Sequence, residues 1–369
     1  MTDAGPSPSQ RVVELCLRRG FAAAGVCDLA ASAYADELRD WLGRGCHGSM
    51  AYLEKSFDVR TDPSLLLEDA RSAVMVADLY AVRSDNVDPP LPEGHGRIAR
   101  YGRGRDYHDV IKKRLHAVCD ELRSAYLGEQ FRAFVDTAPV LERELAARAG
   151  IGWTGKHTLA IHPELGSYLL LGGFVTTMAL EPPASQAVIT DHCGSCTRCI
   201  DACPTDAITP YSVDATRCIS YLTIERRGPI DAGLFEGVGD WLYGCDVCQE
   251  VCPHNSAEGF GRTGDAAVIP AYASERSSFD LLGVLGWDED ERREALRGSA
   301  MKRAKLSQWR RNAVVCLSSL ARAGDARARA AVEAATRDGD PLVAETAKAA
   351  VRGLAQSDGA TEAERDGSR

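Results

Sequence analysis

"CGSCTRCIDACPT", residues 193–205, sets Cys193, Cys196, Cys199 and Cys203-Pro204 in the run C-x2-C-x2-C-x3-C-P. That is the spacing of a bacterial iron–sulfur ferredoxin, whose fourth cysteine ligates the other cluster when two are present. A partner run follows: Cys218 alone, then Cys245, Cys248 and Cys252-Pro253 in "CDVCQEVCPHN" (245–255). By the crossing rule, Cys193, Cys196, Cys199 and Cys252 hold one cluster, and Cys203, Cys218, Cys245 and Cys248 hold the other. The long gap from Cys218 to Cys245 marks one half of the ferredoxin as expanded. A pair of four-Cys zinc sites is the competing reading, and the tight triplet with two Cys-Pro pairs weighs against it. Two [4Fe-4S] clusters are therefore expected. Clusters only deliver electrons, so another part of the chain must use them.

Upstream, "AGIGWTGKHT" (149–158) imitates both a G-x-G-x-x-G dinucleotide fingerprint and a P-loop lacking its Ser/Thr, where His157 stands. Either motif needs a strand before the glycines and a helix opening on them. Here the order is reversed. "PVLERELAARA" (139–149) reads as an amphipathic helix with Gly150 as its C-terminal cap, and two apolar strand-like runs follow around a turn at 163–166. The stretch is a Gly-rich turn, not a nucleotide site. Nearer the start, residues 12–19 read as a helix, Gly20 as a turn and "AAAGVCDL" (22–29) as a strand. That reading is preferred to a twin-arginine export signal, whose apolar run would meet Asp28 almost at once.

The 369 residues carry a formal charge of −10, which taken alone argues against a nucleic-acid binder. The charge is uneven, however. Residues 292–311 hold eight Lys and Arg against one Glu, and residues 97–114 hold seven basic against two acidic. Each run reads first as a solvated face, yet two such clusters in an acidic chain leave a polyanion partner open. Eight of the thirteen cysteines fall within 193–252, which points to metal and a reducing compartment. Cys16, Cys27, Cys46, Cys119 and Cys316 are scattered and read as core or incidental thiols. No apolar run is long enough for a membrane span. A cytoplasmic protein without membrane partners is expected.

Around the cysteines the chain resembles the epoxyqueuosine reductase family. The carrying stretches are "RIARYGRGRDYH" (97–108), "VDTAPVLERELAARAGIGWTGKHT" (135–158), "LGSYLLLGGF" (165–174), "CGSCTRCIDACPTDAI" (193–208), "RCISYLTIERRG" (217–228) and "YGCDVCQEVCPHN" (243–255). The resemblance implies a cobalamin- and iron–sulfur-dependent reductase that removes the epoxide oxygen from epoxyqueuosine at the tRNA wobble position. It implies an α+β chain with an α/β cobalamin-binding domain (11–184), a two-cluster ferredoxin-like module (185–258) and C-terminal α-helical HEAT-like repeats (275–356). A flexible start (1–10) and a disordered tail (357–369) flank them. The implied partners are tRNA carrying epoxyqueuosine and an external low-potential electron donor, and the chain is expected to act as a monomer.

By the same resemblance, Asp136 is the proton donor. Residues read alone make it an Asp at a strand end capping the following helix. As an acid at neutral pH it would need a raised pKa from burial beside the corrin, with Glu142 in support. Arg60, Arg100, Asp136, Gly152, Lys156, His157, Ser167, Ser220, Tyr221 and Asp246 are the implied cobalamin contacts, with Gly152 allowing close backbone approach. The chain departs from the family at His157, usually Asn, and at His254, frequently Trp. Residues 275–355 read as helices, the last three in pairs of HEAT-like length that must dock on the rest of the chain. Within the basic run, Lys302, Arg303, Lys305, Arg310 and Arg311 are the expected tRNA phosphate contacts. Two rival readings remain. A reductive dehalogenase-like enzyme acting on a small molecule fits the HEAT-like tail and basic run poorly. A pure electron-transfer subunit leaves the ~180 residues before the cysteine run without a purpose.

Overall fold

A computed structural model of the chain describes residues 5–81, 90–256 and 268–366, with the side chains of 357–366 left aside. The N-terminal half is built on four strands: β1 (Ala23–Asp28), β2 (Ser72–Leu79), β3 (Phe131–Phe134) and β4 (Leu169–Thr176). They lie in the order β1-β2-β4-β3, and every pairing is antiparallel. The expected α/β arrangement is thus corrected to α+β. The intervening helices do not cross over to return the chain in the same direction, which a parallel pair requires.

Both faces of this sheet are covered. The helices α1 (Pro8–Arg18) and α2 (Tyr107–Ala125) bring Val12, Leu15, Ile111, Leu115 and Val118 against Val74, Val76 and Phe174. The short helix α3 (Glu142–Arg148) brings Leu145 and Ala146 against Ala73, Met75 and Val175 on the other face. Two-sided cover explains why all eight residues of β2 are buried. Helix α1 starts at Pro8, inside the stretch expected to be flexible, because Ser7 and Gln10 form a reciprocal capping box. Residues 1–4 of that stretch lie outside the described residues.

The cysteine-rich segment has little regular structure beyond α4 (Ile219–Ile224) and a few single turns. It is stitched to the rest by a three-stranded sheet. Trp241–Tyr243 pairs in parallel with His95–Ile98 from the N-terminal half, and Ser278–Asp280 pairs with the same strand from the far side. Downstream, α5 (Leu306–Arg322), α6 (Ala326–Ala335) and α7 (Pro341–Asp366) pack together, with α5 at the centre. Helix α5 docks on α4 and on Tyr243, whose ring stacks on Trp309 at 5.2 Å. The expected disordered tail is corrected: α7 runs on to Asp366, past Ser357, through good helix formers such as Ala360, Glu362, Ala363 and Glu364. Residues 367–369 lie outside the described residues. Among the described residues no helix is long and apolar enough to cross a membrane. Cys16, Cys27, Cys119 and Cys316 are buried among apolar neighbours, as expected of core thiols, and Cys46 is half-buried.

Candidate functional site

The eight clustered cysteines stand close to one another. Burial pushes the Cys252 thiol up to about 11, reinforced by its neighbours Cys193, Cys199 and Cys196. Burial also lifts Cys245 well above the ordinary thiol range, with Asp246, Cys218 and Cys203 adding to it. Cys248 is raised by burial and then by Cys245, Cys218, Asp246 and, from the first run, Cys199. Among the described residues no three His, Cys, Asp or Glu converge as one ion requires. Beside Cys193 stands the buried indole N–H of Trp153, whose hydrogen bond favours the Cys193 thiolate, a donor of the kind that tunes a cluster's potential.

A second constellation gathers from four separate parts of the chain. Asp136 lies in the loop between β3 and α3, in left-handed backbone at φ 48°. It caps nothing: the residue before α3 is Leu141, and the helix begins at Glu142, not Pro139. Its backbone N–H donates to Glu142 Oε1 at 2.7 Å. Its Oδ2 meets His108 Nε2 at 3.0 Å, and His108 Nδ1 meets Asp106 Oδ1 at 2.7 Å. Lys302 Nζ, from the turn before α5, holds Asp106 Oδ2 at 2.7 Å. Arg60 sits near Asp136 and Glu142, its guanidinium over the Tyr52 ring at 5.9 Å. Solvent reaches Asp136, Glu142 and Arg143, yet protein surrounds each of them closely. Exposed side chains closely surrounded by protein mark a concave stretch of surface, a recess.

The charge states here overturn one expectation. Burial would raise Asp136, but the hydrogen bond and positive charge of His108 outweigh it and hold the carboxyl low. Burial works against the His108 cation, and the bonds to Asp106 and Asp136 outweigh it, lifting His108 to about 9. Asp106 is held down at about 2, its burial overcome by His108 and Lys302. The carboxyl with a raised pKa is Glu142, pushed up to about 8 by burial and then by the charge of Asp136. His108 is the residue the sequence reading missed. Its signal was present as the Asp-x-His of "RDYH" at the start of α2, with Asp106 as the helix cap.

Of the other expected contacts, Arg60 is in the recess, and His157 is buried beside Arg143, which with burial drives its pKa down to about 4. Several others are held by protein partners. Lys156 donates to the carbonyls of Gly194 and Cys196 at 2.6 and 3.0 Å, so it clamps the first cysteine loop. Ser167 is buried and bonded to Asn255 and Gln249, tying β4 to the cysteine segment. Arg100 and Asp246 are buried together, the Arg100 N–H donating to Asp246 at 2.7 Å and its guanidinium to Glu250 at 2.7 Å. Tyr221 accepts the Ser49 N–H at 2.7 Å, and Ser220 lies against the Cys218 thiol. Gly152 is small for another reason: a Cβ there would stand 2.1 Å from the Ile161 carbonyl oxygen across a hairpin.

The basic run divides. Lys302, Arg303 and Lys305 are exposed, with Arg303 paired to Glu225 at 2.8 Å and near Asp136. Arg310 pairs with Asp338, and Arg311 is fully buried. The expectation that Arg311 meets phosphate is corrected. Its guanidinium donates to the carbonyls of Leu222, Arg226 and Gly228, at and beyond the end of α4.

Two family models match the chain: "Epoxyqueuosine reductase QueG, DUF1730" over residues 60–137, and "4Fe-4S double cluster binding domain" over residues 192–255. An epoxyqueuosine reductase of Shewanella oneidensis is 38% identical over 333 residues, spanning 88% of this chain and 83% of that protein. A crystal structure of epoxyqueuosine reductase with an epoxyqueuosine-modified tRNA-Tyr stem loop superposes with a TM-score of 0.80 at 29% identity, covering 93% of this chain and 89% of that one. An epoxyqueuosine reductase of Bacillus subtilis, solved with its aspartate catalytic loop swung out of the active site, superposes with a TM-score of 0.78 at 29% identity over the same shares.

Proposed function

The chain belongs to the epoxyqueuosine reductase family, and on that premise we propose that it reduces epoxyqueuosine in the anticodon loop of tRNA to queuosine. The reaction takes two electrons and two protons and releases the epoxide oxygen as water. The observation that carries the reading is the recess: a carboxylate on a strained loop, linked to a histidine and walled by Glu142 and Arg60, in a chain with a double-cluster domain.

Cobalamin, implied by the family, fits the residues present. His157 offers a test: its Nδ1 accepts the Leu159 N–H at 3.2 Å, so its neutral ring carries the proton on Nε2, which is buried with no partner among the described residues. A buried orphan N–H beside an open recess suits the amide groups that rim a corrin. Arg60, His157 and the walls at Glu142 and Arg143 would hold the cofactor. Bound there, cobalamin supplies the metal-centred reducing chemistry that opens the epoxide. Asp136 hands the departing oxygen a proton. The two quartets, Cys193, Cys196, Cys199 and Cys252 against Cys203, Cys218, Cys245 and Cys248, hold the clusters that relay single electrons from an external donor. Lys302, Arg303 and Lys305 steady the tRNA backbone while the wobble base is splayed toward the recess. The protein works as a cytoplasmic monomer in this reading.

The deciding experiment is a single-turnover assay. Reconstituted protein with cobalamin, a chemical reductant and epoxyqueuosine-containing tRNA should yield queuosine in the digested nucleosides. Retention of the epoxide under reducing, anaerobic conditions, with clusters and cobalamin verified, would defeat the proposal.

A further inference from the structure

We propose that His108 is the positioning residue that stores and delivers the proton Asp136 gives up, through one hydrogen-bonded chain running Lys302–Asp106–His108–Asp136. The geometry is continuous: 2.7 Å from Lys302 Nζ to Asp106, 2.7 Å from Asp106 to His108 Nδ1, and 3.0 Å from His108 Nε2 to Asp136. The inference rests on the reading above that Asp136 donates to the leaving oxygen.

The arrangement is hard to explain as packing alone. His108 is the second residue of the 19-residue helix α2, whose N-terminal dipole disfavours a cation. A neutral imidazole would satisfy local structure. Two carboxylates nevertheless bracket both ring nitrogens, and both nitrogens can donate only in the cation. The Tyr107 ring stacks on the imidazole at 4.0 Å and fixes its plane. The ionisable groups facing it are Asp106, Tyr107, Asp136 and Glu142, with Lys302 and Arg303 just beyond them.

The proton balance is simple. As the epoxide C–O bond breaks, the Nε2–H proton of His108 passes to the Asp136 carboxylate, and the carboxyl passes a proton on to the departing oxygen, leaving a neutral imidazole and Asp136 again as the carboxylate. His108, 29% exposed, is recharged from water. The electrons are those of the reductase reaction itself, and the path run twice supplies both protons of the water formed. The acid is then the pair, so its upper pH limit belongs to the two residues together.

The test uses the cluster-loaded protein. His108→Gln keeps an amide donor where Nε2 lies but cannot ionise. The wild-type single-turnover rate should hold up to about pH 9, the value to which His108 is lifted, and fall beyond it. The Gln variant should lose roughly tenfold or more at neutral pH and recover only on acidification. Asp106→Asn, which still caps α2, should move the basic limb down without abolishing activity. Rate and pH profile unchanged in His108→Gln would overturn the relay while leaving the function standing. Independently of turnover, nitrogen NMR of the His108 ring with oxidised clusters should show a cation persisting above pH 8. An imidazole titrating near the ordinary 6.5 would sink the relay even if no substrate were converted.

Discussion

At Asp136, backbone and side chain pull in one direction. Asp and Asn enter left-handed backbone more readily than most residues, so Asp136→Asn should keep the loop at φ 48° and the bond from its N–H to Glu142. It removes only the transferable proton. Single-turnover conversion is expected to fall by ~10²–10⁴-fold with cofactor binding intact, whereas a helix cap would have tolerated Asn. The sequence reading named Asp136 by family resemblance and required a raised pKa there; it could not place His108, 28 positions earlier, against it. Glu142 offers a separate prediction. Its carboxyl is lifted from 4.5 to about 8, so the fold retains a proton that the unfolded chain has already released. Stability from this group is whole below about pH 4.5 and is lost as pH rises through 8. Glu142→Gln mimics the neutral carboxyl, so its Tm should decline less than the wild type's between pH 5 and 8. His108 adds a like-signed loss at higher pH, from 6.5 to about 9. Parallel Tm curves for wild type and Glu142→Gln would show that Glu142 is ionised in the fold.

Helix α5 shows what periodicity conveys and what it omits. The apolar spacing of Trp309, Val314 and Leu317 made the helix legible, and all three are buried. The cluster of positive charge did not reveal which arginines are inside. Arg311 has no exposed surface, and burial together with Arg226 and Arg227 lowers its pKa to about 9. It is retained because it donates to the carbonyls of Leu222, Arg226 and Gly228 at and beyond the end of α4, a feature that appears only when α4 and α5 are in contact. Arg311→Ala leaves the buried Leu222 carbonyl without its donor, opens a cavity where the side chain was, and is expected to cost about 3 kcal/mol, seen as a lower denaturant midpoint. It should leave the salt dependence of tRNA binding unchanged in protein that remains folded. Replacing Lys302, Arg303 and Lys305 with Ala should do the reverse. Every phosphate that no longer meets a cation reduces the slope of log affinity against log salt by about 0.9 on a duplex and less on a loop. Unaltered tRNA affinity in the triple variant would make the exposed half of the run a solvated face.

Across the whole molecule, the parts are interlocked more than the sequence implied. The strand His95–Ile98 belongs by position to the N-terminal half, yet it pairs with the cysteine segment on one edge and with Ser278–Asp280 on the other. Ser167 and Asn255 join the same regions again. Short-range patterns do not disclose such pairings, because each four-residue strand has no period of its own long enough to read. The cysteine spacing is different: it is a local pattern, so the double-cluster domain over residues 192–255 was legible. That interlocking bears on how a missing ligand should act. If Cys203 serves the second cluster with Cys218, Cys245 and Cys248, then Cys203→Ser should lower the content from about eight iron and eight sulfide per chain to about half, although Cys203 follows the first triplet directly. Cys252→Ser should instead remove the cluster of Cys193, Cys196 and Cys199, more than 40 residues upstream, beside which Cys252 is buried. The two variants should leave complementary signals in the electron paramagnetic resonance spectrum of reduced protein. The stitched sheets and the Arg311 anchor do not pass through either cluster, so each variant should still fold. Zinc in place of iron, or the same residual signal from both variants, would refute the crossing of the two runs.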